Sequence, residues 1–180
     1  MTTIVPNTRL AAIKVPNSTP GIIERYALND EQALLAKLRY NRLIDIFTGI
    51  TCYSLQNHLR TTVTGMGQIE TDEMYIGVDK QGAHHAFPMQ AKGGRDKINT
   101  VQIDQDIQMC RQKFPDLFCH ALAAQFIDTN LIALFEFGLE KRKGENEIVI
   151  VDERHYRLVS AEDLTPEEIR QYASQSLSHK

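Results

Sequence analysis

Apolar residues recur at helical spacing in two stretches of the chain and predict two helices. The first covers about residues 30–48, with Asn29 as its cap and Gln32 three positions later, as in a capping box. The second covers about residues 98–114. The apolar stripe of the first helix comprises Leu35, Leu38, Ile46 and Phe47, and that of the second comprises Ile103, Ile107, Cys110 and Phe114.

Two further segments predict helices. Residues 50–63 follow the first helix and are expected to form a second one. Its polar face would comprise Gln56, His58 and Arg60. Near the C-terminus, "TPEEIRQYA" begins with Thr165 as a cap, Pro166 at the first helical position and Glu168 at the third, which is a typical helix start.

Between these helices the apolar period changes to two, which predicts strands. Residues 68–78 and 83–92 alternate on either side of the turn "DKQG", so they are expected to form a hairpin. The later strands cover 119–127 and 131–137, joined by turn residues 128–130, and a last pair covers 146–151 and 155–159.

The order of these elements predicts an α/β fold, or an α+β variant of it, in which helices flank one mixed β-sheet. Residues 1–28 contain three prolines among threonines and asparagines, and we expect an extended arm there rather than a packed element. The domain itself is expected to cover 29–160, followed by a C-terminal helix or tail over 161–180.

Composition narrows the class of protein. The chain has 180 residues, a net charge of −3 and a pI near 6.1, which argues against a non-specific nucleic-acid coat but leaves room for a local basic cleft. No apolar run approaches the roughly 18 residues that span a bilayer. The cysteines stand at unrelated spacings and suit reduced thiols, so we expect a cytoplasmic protein; they are Cys52, Cys110 and Cys119. Cys119 and His120 resemble half of a zinc site, but no second half follows at zinc-site spacing.

Polar residues at the end of the predicted hairpin form the strongest candidate site. If the turn is centred on Gln81, facing residues have numbers that sum to about 162, which places Asp72 opposite Gln90. Because side chains alternate along a strand, Gln90 shares a face with Lys92, and Asp72 shares a face with Glu70. Carboxylate and carbonyl oxygens suit Mg²⁺, and a lysine beside them can stabilise a phosphate. The alternative is an ordinary solvated hairpin face.

The pattern of Asp72 followed on the next strand by the "QAK" of Gln90, Ala91 and Lys92 resembles the PD-(D/E)XK nuclease superfamily. The QAK variant is similar to that of Mrr-type restriction endonucleases. The resemblance covers roughly residues 30–137 and implies a restriction-endonuclease-like core of αβββαβ type. It also implies a metal-dependent DNA endonuclease that uses Mg²⁺ or Mn²⁺, with Asp72 and Gln90 on the metal and Lys92 beside the attacked phosphate.

The chain departs from the commoner pattern because Gln90 stands where most members have an acid. A second carboxylate should therefore matter more, and Glu70 is our choice. Glu73 and Asp79 are rival acids, but Glu73 has the wrong strand parity and Asp79 lies at the turn. A polar residue on the following helix reaches back to the site in some members, which here points to Gln102 or Gln105. Glu31 on the first helix can reach the metal from behind, or it can serve the helix end.

Basic residues near the hairpin predict where double-stranded DNA would lie. Arg95 and Lys97 follow the double glycine beside the site, and the segment before the hairpin adds His58 and Arg60. Arg39 and Arg42 on the first helix are weaker candidates, as is His84-His85 near the hairpin tip. Each of these can equally be a solvated surface residue.

The leading interpretation is a restriction or defence endonuclease, and cleavage of two strands favours a homodimer. One alternative is a repair or junction-resolving nuclease. The other is an inactive module of nuclease fold that binds DNA or serves in assembly.

Overall fold

The computed structural model describes residues 2–27 and 30–178. Its strands are β1 Thr3–Ile4, β2 Ala12–Pro16, β3 Thr51–Val63, β4 Gly67–Val78, β5 His84–Lys92, β6 Ile98–Asn99, β7 Phe118–Cys119, β8 Ala121–Asp128, β9 Leu131–Arg142 and β10 Glu145–Val159. Its helices are α1 Gly21–Tyr26, α2 Asp30–Tyr40, α3 Leu43–Thr48, α4 Thr100–Lys113 and α5 Pro166–Ser178, with a 3₁₀ turn at Ala161–Asp163.

One mixed sheet organises the molecule. Its strands lie in the order β2-β10-β9-β8-β5-β4-β3, and β7 adds to β5 beside this path. β5 runs parallel to β8, and β2 runs parallel to β10, while the remaining neighbours on the path are antiparallel. The expectation of an α/β fold with a mixed central sheet flanked by helices is therefore confirmed.

The two faces of the sheet carry different helices, because alternate residues of each strand point to opposite sides. On one face α2 and α3 pack against the central strands. The buried side chains there include Leu34, Leu35, Leu38, Leu43, Phe87, Met89, Leu122 and Leu134. On the other face α4 packs with a second set, which includes Ile103, Ile107, Met109, Cys110, Ala121, Ala123, Ala133 and Phe135. Strand β5 thus lies between α2 and α4.

The helix predicted over 50–63 is wrong: this segment is strand β3, which pairs with β4 along its length. It forms an edge of the sheet, and residues 53–58 are all exposed, so neither face shows the apolar alternation of a half-buried strand. The β-branched residues near its ends are the remaining sequence signal for a strand: Thr51, Thr61, Thr62 and Val63.

The helix predicted over 30–48 is divided in two. α2 ends at Tyr40 and α3 begins at Leu43, because Arg42 adopts a left-handed backbone conformation with φ of 52°. The predicted cap Asn29 lies outside the described residues.

The N-terminal segment is part of the fold rather than an extended arm. β2 joins the sheet edge beside β10, and Ile13 and Val15 pack against the core. The strands predicted at 146–151 and 155–159 are one strand, β10, with an irregularity in its pairing between Ile150 and Asp152.

The other predicted elements are confirmed with small changes of boundary. These are the hairpin of β4 and β5, helix α4, strands β8 and β9, and helix α5. Thr165 caps α5, since its Oγ1 accepts a hydrogen bond of 3.2 Å from the Glu168 N–H. None of the helices in the described ranges has the length and apolar character needed to cross a membrane.

Candidate active site

The hairpin has the register expected from its turn. Its paired residues run from Val78 with His84 to Glu73 with Met89, and each pair sums to 162. Regular pairing ends at Glu73 and Met89, so Asp72 and Gln90 lie just beyond the last pair. The two side chains make no direct hydrogen bond to each other: the Gln90 amide donates to Asp106 and to the Glu70 carbonyl, whereas the Asp72 carboxylate accepts from the Ala91 N–H.

Asp72 lies against the backbone of the next strand. Its Oδ2 accepts a hydrogen bond of 2.8 Å from the N–H of Ala91, the residue between Gln90 and Lys92. Its neighbour across the β3–β4 pairing is His58, whose φ of 47° marks an irregularity in β3 at this point. Asp72 is therefore anchored to the "QAK" segment through main chain.

Three potential metal-ligating side chains meet around Asp72. Glu31, near the start of α2, contributes a carboxylate and His58 contributes an imidazole. One ligand atom from each of Glu31, His58 and Asp72 lies within 4.8 Å of the other two. The group combines a helix and two strands, and Asp72 and Glu31 are half-buried, whereas His58 is exposed.

Burial raises the pKa of both carboxylates. For Asp72 the main cause is desolvation, partly offset by the Ala91 N–H and by Lys92. For Glu31 desolvation again comes first, and the charge of Asp72 raises the pKa further. A cation bound between the two carboxylates would favour their ionised forms, so this donor set fits a divalent metal.

Lys92 lies at the end of β5 and places positive charge near these acids. It lowers the pKa of Asp72, of Glu31 and of Asp106. Within residues 2–27 and 30–178, its ammonium has no carboxylate at ion-pair distance. Lys92 can therefore accept a negatively charged group from outside the chain.

Gln90 points to the α4 side of the sheet and is buried. Its Nε2 donates to the carbonyl oxygen of Glu70 at 3.2 Å and to Oδ2 of Asp106 at 2.9 Å. The main-chain carbonyl of Glu70 can only accept a hydrogen bond, so the Gln90 group that faces it must be the amide nitrogen. The Gln90 carbonyl oxygen accepts no hydrogen bond from the described part of the chain, which leaves it available as a neutral oxygen ligand.

Asp106 on α4 is a residue that the sequence interpretation missed. It is fully buried and accepts hydrogen bonds from Thr71 Oγ1 at 2.7 Å and from Gln90. Burial raises its pKa to about 7. A signal was present, because a carboxylate at 106 interrupts the apolar face formed by Ile103, Ile107 and Cys110. Gln102, the predicted contributor from this helix, instead exchanges hydrogen bonds with Asn99 at the start of α4.

Glu70 does not join the carboxylate group. Its side chain is exposed and lies 3.3 Å from His58 Nδ1 and 3.4 Å from Arg60 Nε. The second carboxylate near Asp72 comes from Glu31. The sequence alone left open whether Glu31 would reach a metal or stabilise the start of the helix.

The two rival acids are engaged elsewhere. Glu73 is fully buried and pairs with Arg39 at 3.1 Å and with Ser54 at 2.6 Å. Asp79 lies at the hairpin turn and contacts His85. Neither belongs to the group formed by Glu31, His58 and Asp72.

The basic residues divide into two groups. Arg95 and Lys97 are exposed in the connection after β5, and in the described ranges neither takes part in an ion pair. Arg60 is paired with Glu70, and His58 belongs to the candidate metal group. Of these cations, Arg95 and Lys97 are thus the two that are exposed and have no ion-pair partner among the described residues.

A scan against protein-family models finds no match, and a search of the curated proteins finds none either.

Proposed function

We propose that this chain is a divalent-metal-dependent DNA endonuclease with a restriction-endonuclease-like core, resembling the PD-(D/E)XK superfamily. The observation that carries the proposal is the hydrogen bond from the Ala91 N–H to Asp72. This bond joins the two separate parts of the sequence pattern, because Ala91 is the residue between Gln90 and Lys92. Glu31 and His58 complete the surroundings of Asp72.

Glu31 and Asp72 would hold the metal, with His58 and the carbonyl oxygen of Gln90 as neutral ligands. Carboxylate and amide oxygens suit Mg²⁺ or Mn²⁺, and an imidazole favours Mn²⁺ over Mg²⁺. When bound, such an ion supplies positive charge to a phosphoryl oxygen and lowers the pKa of a coordinated water.

The cationic side chains bind and orient the substrate. The Lys92 ammonium stabilises negative charge on the attacked phosphate, since it lies near the carboxylates and no carboxylate of the described residues forms an ion pair with it. Arg95 and Lys97 hold neighbouring phosphates of the duplex. Restriction or defence is the role we propose for such cleavage, carried out by a homodimer that delivers one site to each strand.

A second candidate is a DNA-binding or assembly module of the same fold without catalysis. The arrangement of Gln90 favours it, because its amide donates to Asp106 and a carboxylate at 90 could not do so. In that case Gln90 is a structural residue that has replaced a metal ligand.

Plasmid cleavage distinguishes the two candidates. The purified chain is incubated with supercoiled plasmid and Mg²⁺, Mn²⁺ or EDTA, and DNA binding is measured on the same samples. The nuclease proposal expects metal-dependent nicking or cutting that Lys92→Ala and Asp72→Asn abolish. Lys80→Ala, at the opposite end of β5, is the matched control and retains activity.

Each other outcome has a defined meaning. Binding without cutting at any metal supports the module and contradicts the nuclease. Cutting that survives in Lys92→Ala places catalysis elsewhere. A fixed cleavage pattern supports restriction, whereas a preference for branched over linear DNA supports a repair or junction nuclease.

A further inference from the structure

Two histidines meet at the opposite end of β5 from the candidate active site. His85 lies near the start of β5, and His120 lies between β7 and β8. Its Nε2 is 3.1 Å from Nδ1 of His85. His85 is seven residues from Lys92, which is roughly 23 Å along an extended strand, so this pair of histidines is separate from the candidate active site.

The outer nitrogen of each ring faces a carboxylate. Nε2 of His85 lies 2.9 Å from Asp79 Oδ2, and Nδ1 of His120 lies 3.5 Å from Glu136 Oε1. The Asp79 carboxylate oxygen accepts the hydrogen bond from the Nε2–H of His85. In a neutral imidazole only one nitrogen carries a proton. Nε2 of His120 lies 3.1 Å from Nδ1 of His85, so a proton on Nε2 forms a hydrogen bond to the Nδ1 lone pair. A proton on Nδ1 of His120 instead points to Glu136 and leaves two lone pairs facing each other.

In the second arrangement the two lone pairs repel unless a cation lies between them. Burial and the neighbouring His85 lower the pKa of His120, which keeps its ring neutral and able to ligate a metal. Two nitrogens bound to one tetrahedral Zn²⁺ lie about 3.3 Å apart, given Zn–N bonds of about 2.0–2.1 Å. The observed separation of 3.1 Å is close to this spacing.

The surroundings hold both rings in place. Phe87 stacks on each, with ring centroids 6.0 Å from His85 and 5.1 Å from His120. The main-chain N–H of His120 also donates to the carbonyl oxygen of Ala86 at 2.9 Å. Metal-binding histidines commonly donate a hydrogen bond from their outer N–H to a carboxylate, which fixes the tautomer and makes the ligating nitrogen more basic.

We propose that His85 and His120 form a second metal site, selective for a borderline ion such as Zn²⁺, with Asp79 and Glu136 as orienting carboxylates. Imidazole nitrogens favour Zn²⁺, Cu²⁺ and Ni²⁺ over Mg²⁺. His120 is about one-third exposed, so water or an outside ligand completes the coordination. The ion ties the start of β5 to the segment between β7 and β8.

Zinc titration of the full chain after EDTA treatment and removal of the chelator tests this proposal. His58→Ala serves as the parent protein, so that the imidazole at the active site cannot contribute. Isothermal titration is expected to show one equivalent of Zn²⁺ in this parent and in His84→Ala, which removes the histidine next to His85. His85→Ala and His120→Ala lose this equivalent, and Asp79→Asn weakens binding roughly 10–100-fold.

A spectroscopic measurement on the parent itself does not depend on the folding of the site variants. In long-range ¹H–¹⁵N spectra, Zn²⁺ should shift Nδ1 of His85 and Nε2 of His120 while the other histidine resonances stay in place. Absence of a one-equivalent site in the folded parent, or imidazole signals that do not move at saturating Zn²⁺, would overturn the proposal and leave a shared proton between the rings.

Discussion

At the scale of single residues, Glu31 and Glu70 compete for the role of second carboxylate beside Asp72. Glu31 lies within the group of potential ligands, and the charge of Asp72 raises its pKa. Glu70 is exposed and pairs with His58 and Arg60. We therefore expect Glu31→Gln to weaken Mn²⁺ binding roughly tenfold or more, which corresponds to about 1.4 kcal/mol.

The matched substitution Glu70→Gln should change Mn²⁺ affinity far less, and calorimetric titration of both variants measures the difference. If Glu70→Gln lost more Mn²⁺ affinity than Glu31→Gln, Glu70 would be the metal ligand and Glu31 would only stabilise the start of α2.

Asp106 makes stability depend on pH. Its pKa rises from an ordinary value of 3.8 to about 7 in the folded chain, because the carboxyl group is buried. Folding therefore takes up a proton between these values, and the contribution of Asp106 to the free energy of unfolding falls as pH rises from about 4 to 7. Asp106→Asn removes this contribution. The stability difference between wild type and variant should change by on the order of 1–3 kcal/mol across the range.

Urea unfolding at pH 4.5, 6 and 7.5 measures this difference. Asp104→Asn, two residues away on the same helix, is the control and should follow the wild type. Parallel pH profiles for wild type and Asp106→Asn would show that Asp106 is ionised throughout, contrary to its burial.

At the scale of elements, one ion pair links α2 to β4. Nη1 of Arg39 lies 3.1 Å from Oε1 of Glu73, whose side chain is fully buried. Its other oxygen, Oε2, has no hydrogen-bond partner among the described residues. Arg39→Ala would leave a buried carboxylate with Ser54 alone, so we expect a loss of about 3 kcal/mol and a Tm lower by roughly 6–12 °C.

Thermal unfolding followed by circular dichroism tests the expectation. Arg42→Ala removes an exposed arginine that pairs with Asp45 and should leave Tm nearly unchanged. Adding Glu73→Gln to Arg39→Ala should recover part of the loss. Equal effects for Arg39→Ala and Arg42→Ala would mean that the Glu73 pair does not stabilise the fold.

Elements with a buried stripe or alternating face were predictable, and elements without one were not. The hairpin register followed from one turn, and α4 followed from apolar spacing. The prediction for β3 was wrong because it is an edge strand whose middle is exposed on both faces. β2 was not predicted because its pairing partner, β10, lies about 140 residues later. Long-range pairing of this kind leaves no local pattern.

The same reasoning explains the candidate site. Asp72 and the "QAK" segment were found because they belong to one hairpin, where sequence distance fixes proximity. Glu31 and Asp106 come from helices on opposite faces of the sheet. Only the packing of those helices against β4 and β5 shows that these acids reach the same strand end.

At the scale of the whole molecule, the net charge of −3 opposes DNA binding in general, so the proposed function requires a local basic surface. Arg95 and Lys97 lie at the end of the sheet that holds the candidate active site. Lys80, in the turn between β4 and β5, and Lys141, near the end of β9, lie at the other end. The proposed function therefore predicts that the two pairs of cations contribute unequally to DNA affinity.

The double variant Arg95→Ala/Lys97→Ala removes two phosphate contacts. Each contact contributes about 0.9 to the slope of log K against log salt, so the slope should fall by about 1.8 and binding should weaken for every duplex sequence. Fluorescence anisotropy with a labelled duplex in 50–200 mM salt measures both quantities. Lys80→Ala/Lys141→Ala removes the same charge and should leave the slope unchanged, because these lysines lie away from the proposed cleft. If this control lowers the slope as much as the first variant, DNA contacts the opposite end of the sheet and the proposed substrate orientation is wrong.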